Sequence, residues 1–200
     1  MMNQIPKFSL IAGITENFGL GRDNHLPWKS FPKDMAWFRR VTTGSTVIMG
    51  RKTWQSLGSK PLPKRDNRII TSQPDKYQNE YNQYLATLDP VKVSKLPSVS
   101  FYNGFSQSLI EKSITTENIF IIGGAGLYQE AMMHSNCQTL LITHAKIRLK
   151  EVDVKFPNIS QSIFKLNKVI ESGTDTMTFE DGSSKEVKYE IIEYQKLTNL

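Results

Sequence analysis

The stretch NIFIIGGAGLYQEAMM, residues 118–133, predicts a strand that turns through glycines into a helix. Its apolar run NIFII, residues 118–122, has no helical period and has the length of a buried strand. The glycine-rich residues 123–126 are expected to form the turn, and a helix is expected around residues 127–133. A strand, a turn and a helix in this order are the repeating unit of an α/β sheet.

The same pattern recurs on both sides of this stretch. Strands are predicted at residues 8–14, 46–49, 68–71, 99–102 and 139–146, and helices at residues 33–43, 51–57 and 106–113. Loops are expected at residues 15–24 and 153–157, and residues 72–97, which are polar and tyrosine-rich, are expected to be an insertion or loop. Paired strands at residues 165–172 and 187–195 come last, joined by a connection rich in Gly, Ser and Asp at residues 174–184. We therefore expect one α/β domain over residues 1–200, with a central mostly parallel sheet, antiparallel C-terminal edge strands and flanking helices.

Composition narrows the classes of function. The formal net charge is +6, which fits either nucleic acid or an anionic small molecule, and composition alone leaves both open. The three histidines and Cys137 lack the spacing of metal ligands, so no metal site is expected. One cysteine allows no intrachain disulfide, and no secretory signal or membrane span is apparent, so a cytoplasmic protein is expected.

The segment LPWKSFPKDMAWFRR, residues 26–40, contains the main catalytic candidate, Asp34. Asp34 falls in the first turn of a predicted helix, where an acidic residue is most often explained by the helix dipole alone. Large side chains such as Trp28 and Phe38 surround it in sequence. If Asp34 faces inward among them, desolvation would raise its pKa, which suits a group that binds an amidine-like ring and handles a proton. The apolar face of this helix is expected to consist of Met35, Phe38 and Val41.

Two glycine turns are candidates for phosphate binding. In VIMGRKTW, residues 47–54, a strand ends at Gly50 and two cations and a threonine begin a helix, although this could equally be a solvated helix start. The turn at residues 123–126 would let a pyrophosphate approach the backbone closely. It departs from the G-x-G-x-x-G fingerprint, so the sequence does not support a Rossmann fold.

Taken in order, these motifs resemble those of the dihydrofolate reductase family. The matching segments are SLIAG (9–13), LPW (26–28), PKDMAWF (32–38), TVIMGRKTWQSL (46–57), PLPKRDN (61–67), IITSQ (69–73), IFIIGGAGLY (119–128), LLITHAK (140–146) and VDVKFP (152–157). Residues 164–195 fit the closing strands of the family by pattern only. The length and the insertions are similar to those of eukaryotic, fungal-type members.

The resemblance implies a reaction and a substrate site. NADPH would reduce 7,8-dihydrofolate to 5,6,7,8-tetrahydrofolate, with a hydride to C6 and a proton to N5, for one-carbon and thymidylate metabolism. Asp34 would be the catalytic carboxylate, Trp28 would hold an ordered water beside it, and Thr143 would hydrogen-bond to it. Arg65 would pair with the glutamate α-carboxylate of the substrate. The other substrate-binding positions would be Ile11, Ala12, Phe38, Leu57, Leu62 and Ile122.

The resemblance also implies a cofactor site. Arg51, Lys52 and Thr53 would meet the phosphates of NADPH, Ser72 would meet its 2′-phosphate, and Gly123–Gly124 would be a cis peptide. The other cofactor positions would be Ala12, Leu20, Gly21, Gly50, Thr71, Gln73, Ala125, Gly126, Leu127 and Tyr128. Residues 19–26 would form a mobile loop that closes over the nicotinamide. Bacterial members often carry an arginine where this chain has Gly126, so the preference for NADPH would rest on Arg51 and Ser72.

Three hypotheses about function remain at this point. The first is a dihydrofolate reductase, expected to be a monomer that binds antifolate inhibitors and neither nucleic acid nor membrane. The second is a reductase of another pterin or of a riboflavin precursor with the same fold. The third, supported only by the charge, is a non-catalytic nucleic-acid-binding protein.

Overall fold

A computed structural model describes residues 5–110 and 118–197. Its strands are β1 (Phe8–Thr15), β2 (Gly19–Gly21), β3 (Thr46–Gly50), β4 (Asp66–Ile70), β5 (Val99–Tyr102), β6 (Ile119–Ile121), β7 (Cys137–Ala145), β8 (Val154–Lys155), β9 (Phe164–Thr178) and β10 (Ser184–Lys196). Its helices are α1 (Pro32–Thr42), α2 (Arg51–Ser56), α3 (Pro74–Ala86), α4 (Pro90–Val93), α5 (Phe105–Ile110) and α6 (Ala125–Met133).

Eight of these strands form one sheet in the order β5-β4-β3-β6-β1-β7-β10-β9, and β2 and β8 form a small second sheet. The strand pairs from β5 across to β7 are parallel, whereas β10 runs antiparallel to both β7 and β9. This arrangement confirms the predicted α/β fold with a mostly parallel sheet and antiparallel C-terminal strands. The carboxyl ends of the parallel strands therefore share one edge, which is where ligands bind in open α/β sheets.

The core lies on both faces of the sheet because side chains alternate along each strand. On β1, Leu10, Ala12 and Ile14 join the cluster that includes residues of α5 and α6, whereas Ile11 joins the cluster that includes residues of α1. On β3, Val47 and Met49 pack with residues of α2 and α3. Helices thus cover both faces of the sheet, and α1, α2 and α3 share one of them.

The prediction for residues 72–97 was wrong, because they contain α3 and α4. Tyr77 and Tyr81 follow each other at helical spacing and pack against Phe101 from β5, and Tyr81 also packs edge-on against Trp54 from α2 with ring centroids 6.0 Å apart. Most other residues of α3 are polar and exposed. The segment therefore has a narrow apolar stripe that is only recognisable once its distant partners are known.

The predicted connection at residues 174–184 is mostly strand. β9 continues to Thr178 and β10 begins at Ser184, so a short turn joins the two. The threonines of this segment favour extended backbone, and Met177 is fully buried between them. The polar composition of this segment therefore did not indicate the long hairpin that β9 and β10 form.

Smaller differences affect other elements. Residues 153–157, predicted as loop, contain the two-residue strand β8, which pairs with β2 at the start of the predicted mobile loop. Of the predicted helix at residues 106–113, the structure describes Phe105–Ile110, and the rest lies outside the described residues. Met35 was expected on the apolar face of α1 but is 44% exposed, and the buried residues of that helix are Asp34, Trp37 and Thr42. Among the described residues, no helix has the length and apolar character needed to cross a bilayer.

We predict that Leu140→Ala lowers the free energy of unfolding by about 2–5 kcal/mol, because it leaves a cavity at the centre of the sheet. Leu140 on β7 is 0% exposed. Leu166→Ala on β9 is the matched control, because Leu166 is 55% exposed and its truncation is expected to change the free energy by about 0.5 kcal/mol or less. Urea denaturation measures both, and equal effects of the two variants would contradict the assignment of the core.

Candidate active site

Asp34 is buried at the start of α1. Pro32 occupies the first helical position, and Phe31 before it is fully buried against the rings of Trp28 and Tyr189. The buried ring of Phe31 and the backbone angle that Pro32 presets together fix the direction in which the helix begins. As a result Asp34 points inward and is only 8% exposed, whereas the next residue, Met35, points outward.

Burial raises the pKa of Asp34 from 3.8 to about 6 by desolvating the charged form, and the hydroxyl of Thr143 on β7 partly lowers it again. The geometry between the two side chains is looser than an ordinary hydrogen bond, since Thr143 Oγ1 has no partner within normal limits among the described residues. No ion pair joins Asp34 to a cation in the described part of the chain. The site thus contains a carboxylate that can hold a proton near neutral pH.

The backbone of Gly13 on β1 lies against this carboxylate. A methyl group on Gly13 would lie 3.0 Å from Asp34 Oδ2 and 3.1 Å from Trp28 Cζ2, so any side chain there would displace one of them. Trp28 is buried, and its Nε1 has no hydrogen-bond partner among the described residues. A buried donor without a partner marks a place for an ordered water or a polar ligand atom. We did not select Gly13 from the sequence, although a glycine inside a predicted strand indicates close approach.

Tyr128 was predicted to contact the cofactor, but its hydroxyl is used inside the protein. It donates a hydrogen bond of 2.7 Å to the carbonyl of Ile11, which ties α6 to β1. Burial raises the pKa of Tyr128, so its phenol remains a neutral donor. Leu127 beside it also packs into the core, with Ala131 and Met132. Both side chains are therefore buried beside the sheet edge, and the Tyr128 hydroxyl lies 3.6 Å from the position that a Cβ on Gly123 would occupy.

The two predicted glycine turns lie side by side at the sheet edge. The Gly50 N–H donates a hydrogen bond of 2.7 Å to the Gly123 carbonyl, and the Gly123–Gly124 peptide is cis, as the resemblance implies. Thr53 Oγ1 lies 3.2 Å from the position that a Cβ on Gly123 would occupy. The turns thus bring the starts of α2 and α6 together.

These helix starts fit the phosphates of a nicotinamide cofactor. The N-caps of α2 and α6 are Gly50 and Gly124, and neither provides a side-chain hydrogen bond. The first N–H groups of a helix have no partner within the helix, and the dipole adds partial positive charge there. A methyl group on Gly126 would meet no atom within 4 Å, so the start of α6 faces open space.

The other predicted cofactor residues surround this edge in different states of burial. Arg51 donates a hydrogen bond of 2.8 Å to Gln55 on its own helix, and Lys52 is exposed. Ser72 and Gln73 are exposed beyond β4, whereas Thr71 is buried and its hydroxyl accepts the Gln73 N–H at 3.3 Å. Leu20 and Gly21 lie at the base of the predicted loop: Leu20 packs against the core, and Gly21 belongs to β2.

Arg65 is a buried cation without an acidic partner among the described residues. Its Nε donates to the Pro63 carbonyl and its Nη1 to Thr42 Oγ1, both at 2.9 Å, and the guanidinium lies 5.7 Å from the ring centre of Phe38. Burial and then the charge of Arg39 lower its pKa, but a guanidinium still keeps its proton. Desolvating a lone cation is unfavourable, so this position favours an incoming anion.

The remaining predicted substrate residues differ in exposure. Leu57 is exposed at the end of α2, Phe38, Leu62 and Ile122 are half-buried, and Ile11 and Ala12 are buried on β1.

Asn67, which we did not select from the sequence, holds the loop that carries Leu62 and Arg65. Its side chain accepts from the Leu62 N–H at 2.9 Å and donates to the carbonyls of Leu62 and Arg65.

Comparisons with known proteins identify the family of this chain. The family model described as dihydrofolate reductase matches residues 7–196. Dihydrofolate reductase of Bacillus subtilis is 30% identical over 191 residues, which covers 94% of both chains. That of Pneumocystis carinii is 34% identical over 170 residues, 78% of this chain and 76% of that protein. The bifunctional dihydrofolate reductase-thymidylate synthase of Paramecium tetraurelia is 32% identical over 168 residues, 84% of this chain, which spans about a third (32%) of that protein's length.

The structure places two uncapped helix starts and a carboxylate that can hold a proton on one α/β fold, and the matching family consists of nicotinamide-dependent reductases. More narrowly, the chain belongs to the dihydrofolate reductase family, the enzymes that reduce dihydrofolate to tetrahydrofolate. Its relatives include both bacterial and eukaryotic proteins, so the fungal type stays a prediction.

We predict that the unliganded Asp34→Asn variant gains stability relative to wild type as pH rises, so that the difference in the free energy of unfolding widens between pH 4 and pH 7. The pKa of Asp34 is about 6 in the folded state and takes its ordinary value of 3.8 in the unfolded state. The folded state therefore binds more protons than the unfolded state in this window. Wild-type stability therefore falls as pH rises through this window and then levels off. The gap between variant and wild type should widen by about 3 kcal/mol, the equivalent of about two pKa units.

Urea denaturation at several pH values measures this gap. Asp75→Asn, at the exposed first turn of α3, gives the size of the change for a solvent-accessible carboxylate. A gap for Asp34→Asn that stays constant between pH 4 and pH 7 would show that the carboxylate is not desolvated.

Proposed function

We propose that this chain uses NADPH to reduce 7,8-dihydrofolate to 5,6,7,8-tetrahydrofolate, with the hydride going to C6 and the proton to N5. The observation that carries the proposal is that Asp34 is the only buried carboxylate among the described residues, and it has no cationic partner there. Such a group needs a ligand with N–H donors and a weakly basic ring, and the pterin ring of dihydrofolate has both.

Asp34 would accept hydrogen bonds from N3 and the 2-amino group of the pterin. Its raised pKa, about 6, means that the carboxyl exchanges a proton readily near neutral pH. Because N5 lies on the other side of the ring from Asp34, the proton would travel through water. Trp28 Nε1, a buried donor without a partner among the described residues, would orient that water. Thr143 would close its hydrogen bond to Asp34 and keep the carboxyl oriented.

The tail of the substrate would lie along the opposite end of α1. Arg65 would pair bidentately with the glutamate α-carboxylate, since its guanidinium is buried and has no acidic partner among the described residues. The aromatic middle of the substrate would lie among the half-buried and exposed apolar side chains of Phe38, Leu57, Leu62 and Ile122, and Ile11 and Ala12 would contact the pterin. Antifolate inhibitors would occupy the same pocket.

NADPH would bind along the edge formed by the glycine turns and supply the hydride. The starts of α2 and α6, together with Gly50, Arg51, Lys52, Thr53 and residues 123–126, would hold its phosphates. Ser72, with Thr71 and Gln73, would contact the 2′-phosphate, and Arg51 would supply the positive charge. Residues 19–26, with Leu20 and Gly21 at their base, would close over the nicotinamide and exclude water. Ala12, Leu127 and Tyr128 would support this edge.

We further propose that the chain acts as one domain over residues 1–200, as a monomer in the cytoplasm, without binding nucleic acid. Its charge of +6 would steer anionic substrate and cofactor toward the site. The synthase activity in the name of the bifunctional relative is not proposed for this chain.

We predict that the wild-type protein consumes NADPH only when dihydrofolate is present, and that Asp34→Asn lowers kcat at pH 7 by about 100-fold or more, the usual contribution of a positioned acid or base. Absorbance of the reduced nicotinamide follows the reaction, and replacing NADPH by NADH measures the preference for the 2′-phosphate. Asp75→Asn is the control, since it removes a carboxylate from the first turn of a different helix. Full activity of Asp34→Asn would contradict the mechanism.

We predict that Arg65→Ala raises KM for dihydrofolate by about 30- to 100-fold, the loss expected for a charged hydrogen-bonded pair. A dihydropterin without the glutamate tail should be reduced equally by the variant and by wild type. Lys64→Ala is the control, because Lys64 is adjacent in sequence and exposed. An unchanged KM for dihydrofolate would favour a substrate without a glutamate, such as another pterin or a riboflavin precursor.

A further inference from the structure

The far half of the β9–β10 hairpin contacts the segment that leads into Asp34. The Lys29 and Ser30 N–H groups both donate to the Thr178 carbonyl, at 2.8 Å and 3.2 Å, and the Thr178 N–H donates to the Ser30 carbonyl at 2.9 Å. Thr178 is the last residue of β9. The hairpin therefore pairs with the chain four residues before Asp34.

Side chains reinforce this junction. Met177, fully buried on β9, belongs to the same core cluster as Trp28 and Phe31. The ring of Phe31 lies edge-on to Tyr189 of β10, with centroids 5.9 Å apart, and to Trp28, at 5.8 Å. The hairpin thus fixes the position of the residues that lie directly before α1.

Asp175 connects the hairpin to α1 itself. The Lys33 N–H donates a hydrogen bond of 2.7 Å to Asp175 Oδ2. The helix provides no cap of its own, because its N-cap residue, Phe31, makes no side-chain hydrogen bond and Pro32 has no N–H to donate. Asp175 therefore supplies from a distant strand the carboxylate that normally comes from the N-cap residue. The residue whose N–H it accepts, Lys33, directly precedes Asp34.

We propose that Asp175 is a positioning residue for the reduction: its hydrogen bond to Lys33 holds the first turn of α1 so that Asp34 stays buried against Gly13 and Trp28. This inference rests on the proposed function to the extent that it takes Asp34 as the carboxylate that handles the proton. Asp175 bonds to Lys33, which is not among the residues proposed to bind substrate or cofactor. It acts through the backbone of α1.

The charged and titratable groups around both carboxylates bear on the test. Asp34 is faced by Thr143 from β7 and influences the buried phenol of Tyr128 from α6. Asp175 acts electrostatically on Tyr189 of β10. Close to it, Glu171 of β9 accepts a hydrogen bond from Tyr189 and pairs with Arg40 of α1 at 3.5 Å, and it is also influenced by Lys33.

Loss of the cap would free the first turn of α1 to move away from the sheet. Water would then reach the Asp34 carboxylate, and the desolvation that raises its pKa would decrease. The alkaline limb of the activity profile, where activity falls as Asp34 loses its proton, would move to lower pH, and the fraction of Asp34 that holds a proton at pH 7 would fall. Simple destabilisation elsewhere in the protein would not move this limb.

The test compares Asp175→Ala, Asp175→Asn and Glu180→Ala in the full chain. Asn keeps an oxygen that can accept the Lys33 N–H, whereas Ala removes it. Glu180 lies in the turn of the same hairpin, is exposed, and makes no hydrogen bond or ion pair within the described residues, so Glu180→Ala removes the same charge without removing the cap. The measurements are kcat and KM for NADPH and dihydrofolate from pH 5 to 9. The pH titration of the Asp34 carboxyl carbon by NMR in the unliganded protein, assigned with Asp34→Asn, is read without turnover.

We expect Asp175→Ala to lower kcat at pH 7 by about three- to tenfold, because a pKa lower by half a unit to one unit reduces the protonated fraction of Asp34 by about that factor, and we expect KM for NADPH to stay unchanged. The apparent pKa of Asp34 should fall by roughly half a unit to one unit in both the activity profile and the titration. Asp175→Asn should restore most of kcat, and Glu180→Ala should match wild type.

Three results would overturn the proposal. One is an Asp175→Ala variant whose kcat and Asp34 titration match those of Glu180→Ala, even if its thermal stability is lower. Another is an Asp175→Asn variant as impaired as Asp175→Ala, which would assign the effect to charge. The third is a loss of kcat without any change in the Asp34 titration. A wild-type protein that is inactive on dihydrofolate would refute the proposed function instead, and the NMR titration would still test the role of Asp175.

Discussion

Burial of one carboxylate without a cationic partner is the constraint on which the site depends. A shift of the Asp34 pKa from 3.8 to about 6 corresponds to about 3 kcal/mol of folding free energy lost above pH 6. Apolar burial around Asp34 offsets this loss: Phe31 and Trp28 lie before α1, and Trp37 lies within α1, one turn after Asp34. The burial of aromatic side chains before and within α1 thus offsets the unfavourable free energy of a charge at Asp34.

The proposed cofactor edge has a different physical basis. It consists largely of backbone: two glycine N-caps, a cis peptide, and a hydrogen bond between Gly50 and Gly123 that joins two strand ends. A backbone site imposes few side-chain identities, so the sequence marks it only through glycines. The proposed substrate side depends on the particular side chains of Asp34, Trp28 and Arg65. This difference explains why the glycine turns alone were weak indicators and the ordered set of motifs was strong.

Apolar runs predicted the parallel strands well, because a strand buried on both faces needs no partner to be recognised. The predictions failed where a segment is mostly polar and its few apolar side chains pack against residues that are distant in the sequence. Tyr81 in α3 needs Trp54 and Phe101, and Met177 in β9 needs Trp28 and Phe31. Such long-range contacts leave no local pattern in the sequence.

Helix α1 sets the distance between two buried charges of opposite sign. Asp34 lies in its first turn, and Arg65 binds the hydroxyl of Thr42, its last residue, so about 12 Å of helix separates the two contact points at 1.5 Å per residue. At that separation neither charge neutralises the other, and each remains without a partner of opposite charge among the described residues. A ligand satisfies both only if it carries hydrogen-bond donors on a basic ring at one end and a carboxylate at the other. Dihydrofolate has these two ends, whereas a free pterin has only the first, so the pairing of Asp34 with Arg65 along one rigid helix favours the glutamate-bearing substrate.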